Sequence, residues 1–319
     1  MIILISFQII STCTTGAISI SKTNNNTDEL ISEQQIEDIN QINVTFNSGK
    51  YKLYGEIYHP TNDTKTYPCI IFCEGYPAYV SAYSWIPKAL AKQGYIVLIY
   101  DLPGLGRSEG FLPIIISITV PALNLFFRFG TFTETPIHYF LRDLQYAASD
   151  ALTYLLNESP VKQLINNSSI GLIGHSLGGI TATEVASKDK RFDTVIAMSH
   201  GNPLVIRKID VPILFIYGDF DLGLYSIPLT LGCYKKANTP KEIIAIQGGT
   251  HFGFTTTFKS LCPCPSWQKG IIKRYTVGWF DHFLKNKNTG YVNITTGTDH
   301  LSKIFKSKYD FGDGEHIIS

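Results

Sequence analysis

Long apolar runs are missing from this chain. None reaches the 18 residues that suggest a membrane-spanning helix, so no transmembrane span is expected. Charge is scarce too, at 17% of residues, where ordinary domains carry about a quarter. The formal net charge of +1 gathers into no basic run or stripe, which argues against a nucleic-acid partner. The six cysteines are too few for a disulfide framework in 319 residues. Cys69 and Cys73 stand four apart on one predicted strand, share a face, and read as small buried hydrophobes. Cys262-Pro263-Cys264 brings two thiols too close to bridge each other, so one is expected to pair with Cys233 or another distant partner. No second pair stands at ligand spacing, so neither a zinc site nor another metal is expected, and nothing calls for a cofactor. Internal repeats are also lacking.

The length is sufficient for one large domain with a substantial core, and the hydrophobic content of 44% is ordinary. Residues 1–10 are mostly apolar, but no Lys or Arg precedes them. With Ala17-Ile18-Ser19 as a passable cleavage site, they make an incomplete signal segment. Residues 21–40 are polar and Asn-rich and read as a disordered linker, so residues 1–40 are set apart from the domain. Sequons at Asn43, Asn62 and Asn293 lean with this segment toward a secreted or cell-surface location rather than the cytoplasm.

The richest stretch is Ile170-Gly171-Leu172-Ile173-Gly174-His175-Ser176-Leu177-Gly178-Gly179. It reads as an apolar strand, a Gly-x-Ser-x-Gly turn and the start of a helix, the context of a nucleophile elbow. Ser176 then sits on a sharp turn with its hydroxyl exposed, and the flanking glycines avoid collisions across the turn. A serine hydroxyl needs a base to take its proton. Downstream, residues 211–217 form an apolar strand ending in Gly218-Asp219-Phe220-Asp221. Both aspartates can reach the rim of the sheet, or act as turn residues bonding their own backbone. Residues 241–246 form another strand, followed by a loop holding His251. Serine, acid and histidine in that order, each past a strand end, suit a triad in which the acid orients His251 and His251 deprotonates Ser176.

An oxyanion hole needs backbone N–H groups. One is expected from Leu177, directly after the serine. The other is expected from the loop Glu74-Gly75-Tyr76-Pro77-Ala78, where Tyr76 is the candidate because Pro77 has no N–H. His200, after the strand 194–198, either reaches the rim of the site or is structural.

Strands near 69, 96, 170, 194, 212 and 242 alternate with helices, after a hairpin made by residues 43–46 and 51–59. The expected fold is α/β: a mostly parallel sheet of about eight strands, helices on both faces, and a cap-like insert. The domain is expected over 41–287, closed by a helix over 267–284, with a polar C-terminal tail over 288–319. Residues 111–136 hold two strongly apolar runs and read as a lid or acyl-binding wall, or as extra helix packed on the core.

On these residues the chain resembles the α/β-hydrolase superfamily, and within it the dienelactone-hydrolase and cutinase-like polyester-hydrolase branch. The likeness spans roughly residues 45 to 285. It is carried by Gly75-Tyr76-Pro77-Ala78, by Trp85-Ile86-Pro87 through Gly94-Tyr95 into the strand at 96–99, by Asp101-Leu102-Pro103-Gly104-Leu105-Gly106-Arg107-Ser108, by the elbow, by Gly218 to Asp221, and by Gly248 to His251. The resemblance implies that Asp221 rather than Asp219 is the acid, three residues after Gly218. It also implies that the Tyr76 ring lines an acyl pocket, to which the insert would add Phe126 and Phe127. Glu74 departs from the histidine that many relatives carry before the glycine. The apolar insert departs from open-cleft cutinases. The implied activity is a serine hydrolase that cleaves a small-molecule or polymeric carboxylic ester through an acyl-enzyme. An acyl-thioesterase or serine peptidase would use the same machinery, and a catalytically inactive binding module would keep the fold without the chemistry. No feature points to an oligomeric state.

Overall fold

The hairpin is an alternating one. β1 (Ile39–Ser48) and β2 (Tyr51–Pro60) pair antiparallel, from Ile39 opposite Pro60 to Ser48 opposite Tyr51. Along β1 burial falls on Val44, Phe46 and Ser48 while the residues between face solvent, as a strand with one covered face requires. The next strands read differently. β3 (Tyr67–Cys73), β4 (Ile96–Tyr100), β6 (Thr194–Met198) and β7 (Ile213–Gly218) are buried along their whole length. β5 (Ile165–His175) is buried over its last six residues and β8 (Lys241–Ile246) over all but its first. Continuous burial is the mark of parallel strands covered on both faces.

The structure is a computed structural model that describes residues 38–110, 136–221, 226–256 and 266–318. β9 (Ser307–Asp310) and β10 (His316–Ile318) complete one sheet in the order β1-β2-β4-β3-β5-β6-β7-β8-β9-β10. The central strands β4, β3, β5, β6, β7 and β8 run parallel, and the pairs at both edges are antiparallel.

Helices cover both faces. α1 (Val80–Tyr83) and α2 (Trp85–Lys92) lie on one face with the later α6 (Ser266–Lys285) and α7 (Asn288–Thr295). α3 (Pro136–Asn157), α4 (Leu177–Ala186) and α5 (Ser226–Lys236) cover the other. Alternation along β3 feeds both cores: Ile70 and Phe72 point to one, and Cys69, Ile71 and Cys73 to the other. Both cysteines are free and buried, and burial pushes each thiol up to about 12. They sit as small apolar side chains on one face.

The sheet is α/β and mostly parallel, with ten strands among the described residues where about eight were expected. The extra pair comes from the segment read as a polar tail. There α7 packs on α6, and β9 continues the sheet antiparallel to β8, with Asp310 opposite Lys241. These are short strands at the margin of the sheet, β10 its last, whose side chains are largely in contact with solvent, so no apolar run announces them. The expected partner of the Cys262/Cys264 pair, Cys233, is free and fully buried against the sheet. Cys262 and Cys264 lie outside the described residues, as do residues 1–37, Phe126, Phe127 and all but the end of the 111–136 insert.

Candidate active site

Strand β5 ends at His175 and helix α4 begins at Leu177, leaving Ser176 alone on the turn between them. Its φ of 55° is one that side-chain-bearing residues rarely adopt, and its N–H donates to the carbonyl of Met198 at 2.9 Å. Such a conformation persists only where its surroundings over-determine it. The glycines around it supply that. A Cβ on Gly174 would lie 2.0 Å from the Gly178 carbonyl oxygen, and one on Gly178 would lie 2.0 Å from the Cys73 oxygen. The elbow is therefore pressed directly onto the exit of β3.

Asp221 and His251 arrive at the same point from the ends of β7 and β8. His251 Nε2 lies 2.8 Å from Ser176 Oγ, and His251 Nδ1 lies 2.9 Å from Asp221 Oδ1. Asp221 is almost fully enclosed. Burial alone would raise its pKa, but the charge and hydrogen bond of His251, with help from Ser199 and His200, overcome this and hold it at about 2. The carboxylate is therefore ionised wherever the protein is folded near neutrality. Asp219 is turned away from this line. Its Oδ1 accepts the Gly248 N–H at 2.6 Å, and its Oδ2 accepts the Ser302 hydroxyl at 2.5 Å. It ties the acid turn to the loop that carries His251 and to the C-terminal segment.

Two further histidines pack on His251. The His175 ring centre is 5.0 Å from it and the His200 ring centre 5.7 Å. Both are buried. Desolvation, reinforced by the neighbouring His251 charge, lowers the pKa of His175 far below its usual range and that of His200 to about 4. Both imidazoles are thus neutral beside His251. His175 Nδ1 shares a hydrogen bond of 2.7 Å with the Tyr83 hydroxyl, and His200 Nδ1 meets the Ser199 carbonyl, which also accepts from the Ser226 hydroxyl. Of these, only His200 is singled out by its place after a strand. Tyr83 and Ser226 belong to distant stretches of sequence, and nothing in their local pattern marks them.

Leu177 opens α4, so its N–H stands in the first turn, where intrahelical acceptors are lacking. Gly75 approaches the elbow so closely that a Cβ there would lie 2.7 Å from the His175 oxygen. Tyr76, next to it, is half-buried, and its ring packs against the core that includes Leu177. Glu74, at the start of the same loop, is fully buried. Among the described residues no group of three or more His, Cys, Asp or Glu could hold a metal ion, and no helix is long and apolar enough to cross a membrane. The arrangement is a serine hydroxyl hydrogen-bonded to an imidazole that is hydrogen-bonded in turn to a buried carboxylate, at the carboxyl ends of the strands.

Residues 68–226 match the family model of the alpha/beta hydrolase fold. Among curated relatives, the chain is 23% identical over 236 residues to the bis(hydroxyethyl) terephthalate hydrolase of Streptomyces coelicolor, covering 72% of this chain and 62% of that protein. It is 27% identical over 232 residues to the platelet-activating factor acetylhydrolase of Cavia porcellus, covering 65% and 52% respectively. With cutinase 2 of Thermobifida cellulosilytica it shares 24% identity over 240 residues, covering 73% and 74%. The chain thus spans less than two thirds of the first two of these relatives.

Proposed function

Because this chain carries an alpha/beta hydrolase fold domain and has cutinase-like polyester-hydrolase relatives, we propose that it is a serine carboxylic-ester hydrolase acting through an acyl-enzyme. The observation that carries this reading is the hydrogen-bonded line from Asp221 Oδ1 through His251 to Ser176 Oγ, at 2.9 and 2.8 Å. In this reading His251 Nδ1–H donates to Asp221, which leaves Nε2 free to accept the Ser176 proton. The serine oxygen attacks the ester carbonyl, and the N–H groups of Leu177 and Tyr76 receive the oxyanion. His251 then returns the proton to the leaving alcohol, and water, activated by the same imidazole, releases the acid. Asp221 fixes the tautomer and stabilises the imidazolium. His175 and His200, being neutral, add no competing positive charge next to it. The acyl group would lie against Tyr76, with residues 111–136 as its outer wall. Either a small or a polymeric ester fits this chemistry.

A fluorophosphonate probe should label the wild type at Ser176 and leave Ser176→Ala unlabelled. Ser176→Ala and His251→Ala should each lower p-nitrophenyl ester turnover by roughly a thousandfold or more, with the fold intact, because nucleophile and base act as one unit. Near-normal turnover by folded Ser176→Ala would refute the reading.

A further inference from the structure

We propose that Glu74 is a positioning residue for the oxyanion loop, one half of a reciprocal carboxyl clamp with Asp101 that brackets residues 75–79. The proposal rests on the reading of Tyr76 N–H as an oxyanion donor. Glu74 leaves the end of β3 and its Oε1 accepts the N–H of Leu102, in the turn after β4, at 3.0 Å. Asp101 leaves the end of β4 and its Oδ1 accepts the N–H of Val80, at the start of α1, at 2.9 Å. Each carboxyl thus crosses to hold the other segment's backbone, and the five residues between Glu74 and Val80 are strung between the two ties. A third tie falls inside the bracket, where the Gly75 N–H donates to the Tyr83 hydroxyl at 3.2 Å, and that hydroxyl meets His175 beside the nucleophile. The loop cannot shift freely toward the elbow either, since a Cβ on Gly178 would already lie 2.4 Å from the Glu74 oxygen. An oxyanion donor is effective only if it is held in place before charge develops, and this bracket holds it.

The chemistry of the pair is unusual. Both side chains are buried, and two ionised carboxylates in one dry site repel. Burial first, and the Asp101 charge second, push the Glu74 carboxyl well above its usual range. Asp101 is raised less, because its burial is countered by the N–H groups of Val80 and Arg107 and by the Arg107 charge. Of the two, Glu74 is the carboxyl pushed more strongly toward its un-ionised form, against the Leu102 N–H, whose bond favours the ionised one. The ionisable groups facing it are Cys73 beside it on β3, Tyr100 and Asp101 from β4 and its turn, and Tyr83 from α1. His175 stands behind Tyr83, and Arg107 and Glu56 stand behind Asp101. Of these only Arg107 brings positive charge, so an ionised Glu74 would stand as a second anion beside Asp101.

The test compares Glu74→Gln, which keeps the shape and an acceptor for the Leu102 N–H, with Glu74→Leu, which keeps only volume. The readouts are kcat and KM for p-nitrophenyl butyrate, affinity for an alkyl trifluoromethyl ketone as an oxyanion mimic, and melting temperature. Glu74→Gln should stay within about threefold of wild type at neutral pH, while Glu74→Leu should lose about ten- to a hundredfold in kcat and in ketone affinity, with KM nearly unchanged. Unchanged kcat in Glu74→Leu, a loss confined to KM, or equal losses in both variants would overturn the clamp. Should Glu74→Leu not fold, Glu74→Met, which is unbranched like glutamate but also lacks the acceptor for the Leu102 N–H, is compared by the same readouts, and its unchanged kcat would overturn the proposal. If the wild type turns over the ester and Ser176→Ala does not, a failure here belongs to the clamp alone. A wild type inert to both ester and fluorophosphonate overturns the clamp together with the hydrolase reading.

Discussion

Asp219 and Asp221 stand two residues apart on one turn, yet they serve different partners. Asp221 is sealed against His251, and Asp219 spends both of its oxygens on Gly248 and Ser302. An amide in place of Asp221 can offer the imidazole an N–H where an acceptor is required, which favours the wrong tautomer. Asp221→Asn is expected to lose roughly ten-thousandfold in kcat by analogy with the triad template. Asp219→Asn keeps an oxygen for the Gly248 N–H and loses only the acceptor of the Ser302 hydroxyl, away from Ser176 and His251, so its turnover should stay near wild type. Steady-state kinetics on the two variants check this, and the opposite ranking would reassign the acid. The residues themselves left both aspartates open, and only the resemblance, in which the acid falls three residues after that glycine, favoured Asp221. The second neighbours of the site carried no such mark. Tyr83 reaches His175 across 92 positions and Ser226 reaches Ser199 across 27, contacts that no local pattern encodes.

The elements were readable where burial writes a simple pattern. Strands covered on both faces are continuous apolar runs, and the β1–β2 hairpin alternates, so the six parallel strands and the hairpin could all be placed from composition and punctuation. β9 and β10 escaped because a strand of three or four residues at the margin of the sheet needs little apolar content. One element remains to be tested by function. The turn after β4 runs to Gly110 at the catalytic edge, and the strongly apolar residues 111–136 follow it before α3 begins. If they wall the acyl pocket, each added acyl carbon should raise kcat/KM by up to about fourfold until the pocket is full, from about 0.8 kcal/mol per buried methylene. Phe126→Ser with Phe127→Ser should flatten that dependence across a p-nitrophenyl ester series and leave the acetate nearly unaffected. A uniform drop at every chain length would mean core packing instead, and would favour an open cleft.

At the scale of the whole molecule, the site buries two histidines in uncharged form beside one ionised carboxylate, and that mixture sets how stability responds to pH. His200 titrates at about 4 in the fold, against an ordinary 6.5, because it is enclosed beside His251. His175 is shifted in the same direction. In the unfolded chain both take up protons as pH falls through 6.5, while in the fold they resist until far lower pH. Stability is therefore lost progressively as pH drops from 6.5 toward 4, by roughly 3 kcal/mol for His200 alone if its full shift is expressed. Asp221 works in a separate, more acidic window. Its folded value of about 2 against an ordinary 3.8 adds stability that is complete above 3.8 and disappears as pH falls through 2. Between pH 6.5 and 4 the buried histidines are thus the main liability among these groups, and the carboxylate is silent. His200→Phe keeps an aromatic ring in the same space, and the Ser199 carbonyl still has the Ser226 hydroxyl as donor. The variant should lose distinctly less stability than wild type when urea unfolding is compared at pH 6.5 and pH 4.5, whatever its absolute stability at either pH. Equal losses would mean that His200 is not the group taking up the proton on unfolding, and that it reaches solvent or a partner in the fold after all.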